Sequence, residues 1–199
     1  VDTFPLQFQL SFLLPDYVSK QDRQKIKRWL LQDTYKPLIF SDNEEKIFHC
    51  MLIDDTRHFH NGVQSGYITL NVRCNSPYAV TPYYVTDKIE VNGVLDYSFP
   101  NTGDRICKPI LYIEKIGDGD VSIINLSNSG KEFKFTGLVD KENLMVDCEE
   151  EEIETDLSQT HRYNNFNNQF LYFLPHSLNH LKLVGNFNLK IKYQFHLIA

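Results

Sequence analysis

The most regular pattern in the chain is an alternation of apolar and polar residues that two prolines bring to an end. Its apolar members are Ile68, Leu70, Val72 and Cys74. A period of two residues predicts a β-strand with one buried face. Pro77 and Pro82 follow, and because proline fixes φ and lacks a backbone donor, the strand cannot continue through them. One helix is predicted before this joint and only strands after it. We therefore expect two domains, 1–80 and 81–199.

A second alternation opens the chain. Its apolar members are Phe4, Leu6, Phe8, Leu10, Phe12 and Leu14, so a long strand is already under way at the fourth residue. The chain begins at Val1 rather than at Met. We therefore expect further strands to precede it and the first domain to be truncated at its start.

A helix is predicted from Ser19, ending by Asp33. Ser19 and Asp22 have the spacing of a helix cap, in which a hydroxyl accepts a free amide hydrogen and a carboxylate lies near the positive helix end. The apolar stripe that follows at helical spacing is Ile26, Trp29 and Leu30. Trp29, the only tryptophan, is interpreted as a core anchor, and the alternative is a stacking platform for a ligand.

The rest of the first domain is predicted to be an antiparallel meander. Short apolar runs at Leu38–Phe40 and Ile47–Ile53 lead to the strand at Ile68, and the polar segment Asp54–Gly66 is predicted to be a loop. The first domain is therefore a helix combined with a β-meander.

The second half has frequent turn signals and no predicted helix. Asn92-Gly93 predicts a two-residue hairpin, and further turns are expected at 101–103, 117–120 and 128–130. The predicted strands are Ile110–Ile116, Val121–Asn125, Glu132–Thr136, Leu144–Val146, Phe170–Phe173, Leu181–Val184 and Leu189–Leu197. Many short strands separated by turns are typical of an antiparallel β-sandwich.

Composition narrows the function classes. The 199 residues are 42% hydrophobic and 13% aromatic, which is enough for packed cores. A net charge of −6 argues against a nucleic-acid-binding protein with a basic surface. No apolar run reaches the ~20 residues of a membrane-spanning helix. Metal-site and redox spacings such as C-x-x-C are absent, and we expect free thiols at Cys50, Cys74, Cys107 and Cys148.

Two clusters could bind metal ions but have ordinary explanations. His58 and His60 would face one way on a strand, with His49 near in sequence, yet no carboxylate or cysteine completes a usual spacing. The acidic run between Asp147 and Glu154 has no glycine turn of the kind that calcium loops need. We interpret it as a solvated strand edge or loop.

No catalytic motif is present. The sequence contains no G-x-S-x-G elbow, no cysteine with a nearby candidate base and no glycine-rich phosphate loop before a helix. The expectation is a protein without catalytic, cofactor-binding or metal-binding residues, and so not an enzyme.

The order of features resembles the distal tail proteins of siphophages, which form part of the baseplate. The matching passages are the helix RQKIKRWLLQ, the acidic turn and strand in KPLIFSDNEEKIFHCMLID, the strand and prolines of ITLNVRCNSPYAVTP, and the strands KPILYIEKIGDGDVSIINLSNSGKEF, LMVDCEEEEI and FLYFLPHSLNHLKLVGNFNLKIKYQFHL. The resemblance covers nearly the whole chain. It departs from the family in lacking the usual strands before the helix. It also has His176, Ser177 and Leu178 where a glycine before Asn179 is usual.

The resemblance implies a mechanical role in the virion. In this family the first domains pack head-to-tail into a closed ring, typically of six, that joins the tail tube to the tip. DNA passes through the ring without specific binding. The second domains resemble a galectin-like sandwich and hold receptor-binding proteins or touch host-surface glycans. Such proteins assemble in the host cytoplasm, and neither a cofactor nor a membrane is implied.

Two other function classes remain open. A carbohydrate-binding module would need an exposed aromatic platform, for which the candidates are Tyr112, Tyr163, Tyr172 and Tyr193; Tyr193 shares a strand with apolar residues and is expected to be packed. A hydrolase would need a pocket with a converging acid and base, and no motif marks one.

Overall fold

A computed structural model describes residues 4–14, 19–53 and 66–198 of the chain. Within them the elements are β1 (Gln7–Leu14), α1 (Lys20–Leu30), β2 (Lys36–Phe40), β3 (Asn43–Leu52), β4 (Gly66–Cys74), β5 (Tyr78–Val80), β6 (Tyr84–Val85), β7 (Ile89–Asn101), β8 (Ile110–Lys115), β9 (Gly119–Asn125), β10 (Lys131–Leu138), β11 (Asn143–Asp147), β12 (Glu152–Thr155), β13 (Ser177–Tyr193) and β14 (His196–Ile198). The predicted fold class, mainly β with one helix, is confirmed.

Contacts divide the chain into two compact units. The first consists of residues 1–81 and 197–199, and the second of residues 82–196. The sequence predicted that the last residues would remain in the second domain. Instead, β14 joins the sheet of the first unit, next to β5.

The first unit is built on one antiparallel sheet with the strand order β1-β4-β3-β5-β14, and β2 pairs with β3. β1 pairs with β4 along its whole length, from Gln7 opposite Arg73 to Leu14 opposite Gly66. The alternation along β4 gives the expected buried face, since Leu70 is fully buried and Val72 is 1% exposed. β4 ends at Cys74, before Pro77, as the prolines predicted.

The helix begins at its predicted cap, but Trp29 is not a core anchor. Ser19 Oγ accepts the Asp22 N–H at 3.1 Å and donates to Asp22 Oδ2 at 2.6 Å. Ile26 and Leu30 are half-buried, whereas Trp29 is 68% exposed. Successive helical residues are about 100° apart, so Trp29 points well away from its neighbour Leu30. It therefore falls outside the narrow buried stripe.

The second unit is organised around the 17-residue strand β13. β7 runs beside it without a shift in register, from Asn101 opposite Ser177 to Ile89 opposite Leu189. Along its other edge, β13 pairs with β9 over Leu181–Gly185 and with β8 over Phe187–Lys192. The two strands predicted at Leu181–Val184 and Leu189–Leu197 are therefore one strand as far as Tyr193.

A pair of opposed glycines lies at the change of partner. Gly185, with φ +126°, is opposite Gly93, with φ +80°, and the Gly93 N–H donates to Asn186 Oδ1 at 2.9 Å. The predicted hairpin at Asn92-Gly93 is wrong, because both residues lie inside β7. The glycine conformation allows an irregularity within two long paired strands, not a chain reversal.

The predicted strand Phe170–Phe173 is also wrong, because this segment forms only an isolated bridge between Phe173 and Cys107. Buried asparagine side chains donate the hydrogen bonds that the backbone carbonyls of this segment would otherwise receive from a neighbouring strand. Asn101 Nδ2 donates to the Phe173 carbonyl at 3.1 Å and Asn125 Nδ2 to the Tyr172 carbonyl at 2.9 Å. Phe173 is thereby held in the core, where it stacks on Phe99 at 4.1 Å between ring centroids.

A buried ion pair fastens the segment after β12. Arg162 Nε donates to Glu142 Oε1 and Arg162 Nη2 to Glu142 Oε2, both at 2.7 Å. Thr155 Oγ1 donates to Oε1 at 2.8 Å, and the Val139 N–H donates to Oε2 at 3.1 Å. Burial raises the pKa of the Glu142 carboxyl, but the hydrogen bonds and the charge of Arg162 outweigh it and hold the pKa below its usual value. Glu142 is therefore ionised at neutral pH.

Candidate binding surfaces

The first unit leaves a group of aromatic side chains incompletely covered. Phe8, Phe40 and Phe48, the aromatic cluster, come from β1, β2 and β3. Their ring centroids lie 5.9–6.4 Å apart. Phe40 is 36% exposed, and Phe8 and Phe48 are half-buried. Because β1 and β2 are not paired with each other, the sheet must curl to bring these rings together.

The two units differ in how completely they bury apolar side chains. Among the described residues, five buried hydrophobic side chains belong to the first unit: Leu70, Val72, Cys74, Ala79 and Val80. The second unit has 23 of them, including Phe99, Phe133, Phe135, Phe173 and Phe187. Trp29, Ile39 and Ile53 of the first unit are exposed. Among the described residues, the first unit therefore has a small buried core beside its exposed apolar side chains, whereas the second unit has a large core.

The second unit carries an open cleft of about 450 Å³ on the outer face of its sheet. Strand register builds its floor from two rows of side chains. In the first row Tyr112 of β8 lies between Met145 of β11 and Lys190 of β13, and Glu154 of β12 lies beyond Met145. We call the whole cleft the Tyr112 cleft. Tyr112 is 37% exposed.

The second row lies two residues along the same strands and therefore on the same face of the sheet. Glu114 is flanked by Asn143 and Asn188. Asn188 Nδ2 donates to Glu114 Oε2, and Asn143 Nδ2 donates to Asp156 Oδ2, both at 2.8 Å. The Asn143 side-chain and backbone N–H groups lower the pKa of Asp156, which is therefore ionised and unsuited to be a general acid.

The other tyrosines proposed as sugar platforms are differently placed. The Tyr163 hydroxyl accepts the Ile153 N–H at 3.1 Å, and the Tyr172 hydroxyl accepts a hydrogen bond from Lys131 Nζ at 3.0 Å. Tyr193 packs against Phe99 at 4.9 Å between centroids, in agreement with the expectation that it is packed. Of the four, Tyr112 lies in the cleft.

The candidate metal ligands do not form a site in the described part of the chain. His58 and His60 lie outside the described residues. Among those described, no group of three His, Cys, Asp or Glu side chains could hold a metal ion. The acidic run forms the turn between β11 and the edge strand β12, where Asp147 Oδ1 accepts the N–H groups of Glu149 and Glu150 at 2.9 and 3.1 Å.

The cysteines are free and protonated. Burial raises the pKa of Cys50 to about 11 and that of Cys107 and Cys148 to about 12. Because the thiolate is the nucleophile, these groups are poorly suited to nucleophilic catalysis at neutral pH. In the described residues, no helix has the length and apolar character needed to cross a membrane.

Comparisons with known proteins agree over nearly all of the chain. Residues 2–76 match the family model described as the phage tail protein N-terminal domain, and residues 87–193 match the phage tail C-terminal domain. The SPbeta prophage-derived uncharacterized protein YomH of Bacillus subtilis (strain 168) is 30% identical over 192 residues, covering 96% of this chain and 75% of that protein.

A solved structure shares the fold. The Dit protein (gp 19.1) of SPP1, described as a paradigm of the hub adsorption apparatus in phages that infect Gram-positive bacteria, aligns with a TM-score of 0.72 at 18% identity. The alignment covers 96% of this chain and 79% of that chain. The resemblance to distal tail proteins that the sequence indicated is thus confirmed by family models and by fold.

Proposed function

The chain belongs to the phage tail protein family, and on that premise we propose that its first unit closes into a ring joining the tail tube to the tail tip. As a phage tail protein it is a component of the virion. We further propose that it lies at the tail tip and assembles in the host cytoplasm. The second unit would carry adsorption components, and the protein would have no catalytic role.

The exposed aromatic cluster carries this proposal. Exposed apolar patches typically mark protein interaction sites. The aromatic cluster is such a patch, in which the ring centroid of Phe40 lies 6.4 Å from that of Phe8 and 5.9 Å from that of Phe48. A ring needs two different faces that fit each other on every subunit, and the rotation between subunits sets their number. The proposed occupant of the cluster is therefore the complementary face of the next copy. Six copies is the number typical of distal tail proteins.

The fold and charge support the same role. SPP1 Dit, a hub protein of an adsorption apparatus, shares this fold, which favours neighbours in the tail tube and tail tip. The net charge of −6 suits a ring through which DNA passes without specific binding, because like charges repel. A surface potential that is strongly positive along the lumen of an assembled ring would refute this last point.

Placing a charge in the cluster tests the proposal. We expect Phe40→Glu to weaken self-association by roughly 100-fold or more, because a carboxylate buried without a partner costs several kcal/mol. Val94→Glu is the matched control, since it also places a carboxylate on an exposed apolar side chain, 59% exposed, but in the second unit. Light scattering over a concentration series measures both. Equal assembly of the two variants would rule out the cluster as the contact.

A further inference from the structure

We propose that the Tyr112 cleft is a binding site for a short neutral saccharide. The site belongs wholly to the second unit and does not require ring formation. Its volume of about 450 Å³ falls within the range of about 300–1,000 Å³ typical of small-molecule sites.

The floor offers an apolar strip of suitable shape. Tyr112 and Met145 are directly opposite each other on β8 and β11, so their side chains lie side by side on one face of the sheet. Tyr112 is 37% exposed, which leaves part of its ring open to a ligand. The C–H face of a sugar ring is flat and apolar, and an exposed aromatic ring with a neighbouring thioether can pack against it.

Polar groups available to a ligand border this strip. The Tyr112 hydroxyl, the Lys190 ammonium group and the Glu154 carboxylate line the cleft. In the part of the chain that the structure describes, none of the three takes part in a hydrogen bond or ion pair. Together they provide donors from Lys190, acceptors from Glu154 and both from Tyr112. Sugar hydroxyl groups donate and accept at once, so a mixed set of this kind suits them.

The second row provides a fixed polar edge. Glu114 is held by Asn188 and Asp156 by Asn143, each at 2.8 Å. Preorganised side chains lose little freedom when a ligand binds. Each carboxylate retains further acceptor capacity, since an ionised carboxylate has about four lone-pair sites.

The charges in the cleft favour a neutral ligand. Three carboxylates, those of Glu114, Glu154 and Asp156, face two ammonium groups, those of Lys88 and Lys190. A phosphate or other anion would meet the carboxylates with no arginine fork to receive it. A neutral saccharide avoids that repulsion and can still use each charged group as a hydrogen-bond partner.

Saccharide titrations followed by NMR test the proposal on the full polypeptide. The neutral probes are maltose, cellobiose and N,N′-diacetylchitobiose, and sialyllactose is the anionic comparator. We expect at least one neutral disaccharide to bind, and Tyr112→Ala to weaken that binding by about tenfold or more through loss of ring packing. Tyr112→Phe retains the ring and should retain most of the affinity.

Tyr83→Ala is the matched control, because Tyr83 is 59% exposed and does not line the cleft. It should bind like the parent protein, and thermal unfolding should show that all variants are folded. The proposal is overturned if no neutral probe binds at about 10 mM, a concentration that would reveal even millimolar affinity. It is also overturned if Tyr112→Ala binds normally, if Tyr83→Ala loses as much, or if only sialyllactose binds.

Discussion

Replacing Gly185 with alanine is expected to destabilise the second unit by about 2–6 kcal/mol. A Cβ atom at this position would lie 2.6 Å from the backbone carbonyl oxygen of Asp120. The backbone φ of +126° is also unfavourable for any residue with a Cβ atom. Strain of this kind costs about 1–3 kcal/mol, and overpacking adds about 1–3 kcal/mol. Hydrogen exchange of the β13 amides, measured by mass spectrometry, reports the free energy of opening.

The opposed glycine provides a matched control. Gly93 faces Gly185 across β7 and β13 and has φ +80°, but no atom lies within 4 Å of its added Cβ. Gly93→Ala should therefore cost only the left-handed backbone penalty of about 1–2 kcal/mol. If the two variants were equally stable, the close approach of the Asp120 backbone to β13 would not be the constraint at this position.

The second large effect is expected for Arg162→Met. Loss of the guanidinium would leave the Glu142 carboxylate, 1% exposed, buried without its charge partner. Breaking a buried ion pair from one side typically costs about 3–5 kcal/mol. Lys134→Met is the control, because the Lys134–Asp120 pair is solvent-exposed, its charged atoms lie 3.5 Å apart and it should be worth at most about 1 kcal/mol. Denaturant unfolding of the two variants beside the parent measures both costs.

The cost of Arg162→Met should depend on pH. In the parent, the folded-state pKa of Glu142 is lowered, so its contribution is full above the unfolded pKa of about 4.3 and is lost as the pH falls through the folded pKa. In the variant, burial without Arg162 raises the folded pKa, so acidification favours the folded state. The difference in unfolding free energy should thus narrow below about pH 4. If the difference in unfolding free energy between the parent and Arg162→Met did not change with pH, the ion pair with Arg162 would not be what lowers the pKa of Glu142.

Strands with regular alternation could be predicted from sequence because their side-chain period is local. The predicted strand Ile110–Ile116 corresponds to Ile110–Lys115, and Val121–Asn125 corresponds to Gly119–Asn125. The error at Asn92-Gly93 has a long-range cause. Turn chemistry there is identical to that of a hairpin, and only the opposite strand, with Gly185 facing Gly93, makes it part of β7.

Buried asparagines explain the second error in the same half. Phe170–Phe173 has the composition of a strand, but its carbonyl groups are bound by Asn101 and Asn125, which lie far away in sequence. No local pattern distinguishes such a segment from a strand with a ladder partner. The prediction that Trp29 is a core anchor was wrong for a geometric reason. A stripe of three apolar residues is wider than the face that this short helix buries, and Trp29 is 68% exposed.

The candidate saccharide site was only partly predictable. Tyr112 was one of four tyrosines that the sequence nominated. Its neighbours Met145 and Lys190 come from strands 33 and 78 residues further along the chain, and only the register of β8 with β11 and β13 brings them together. A sequence shows which residues face outwards on a strand, but not which outward faces meet.

Electron microscopy of the purified polypeptide tests the central claim most directly. The claim is that this phage tail protein is a building block whose first unit associates with further copies of itself. We predict closed rings with a central opening and a single subunit number, confirmed by native mass spectrometry. Particles that remain monomeric at every concentration, with the aromatic cluster equally open to solvent throughout, would contradict it.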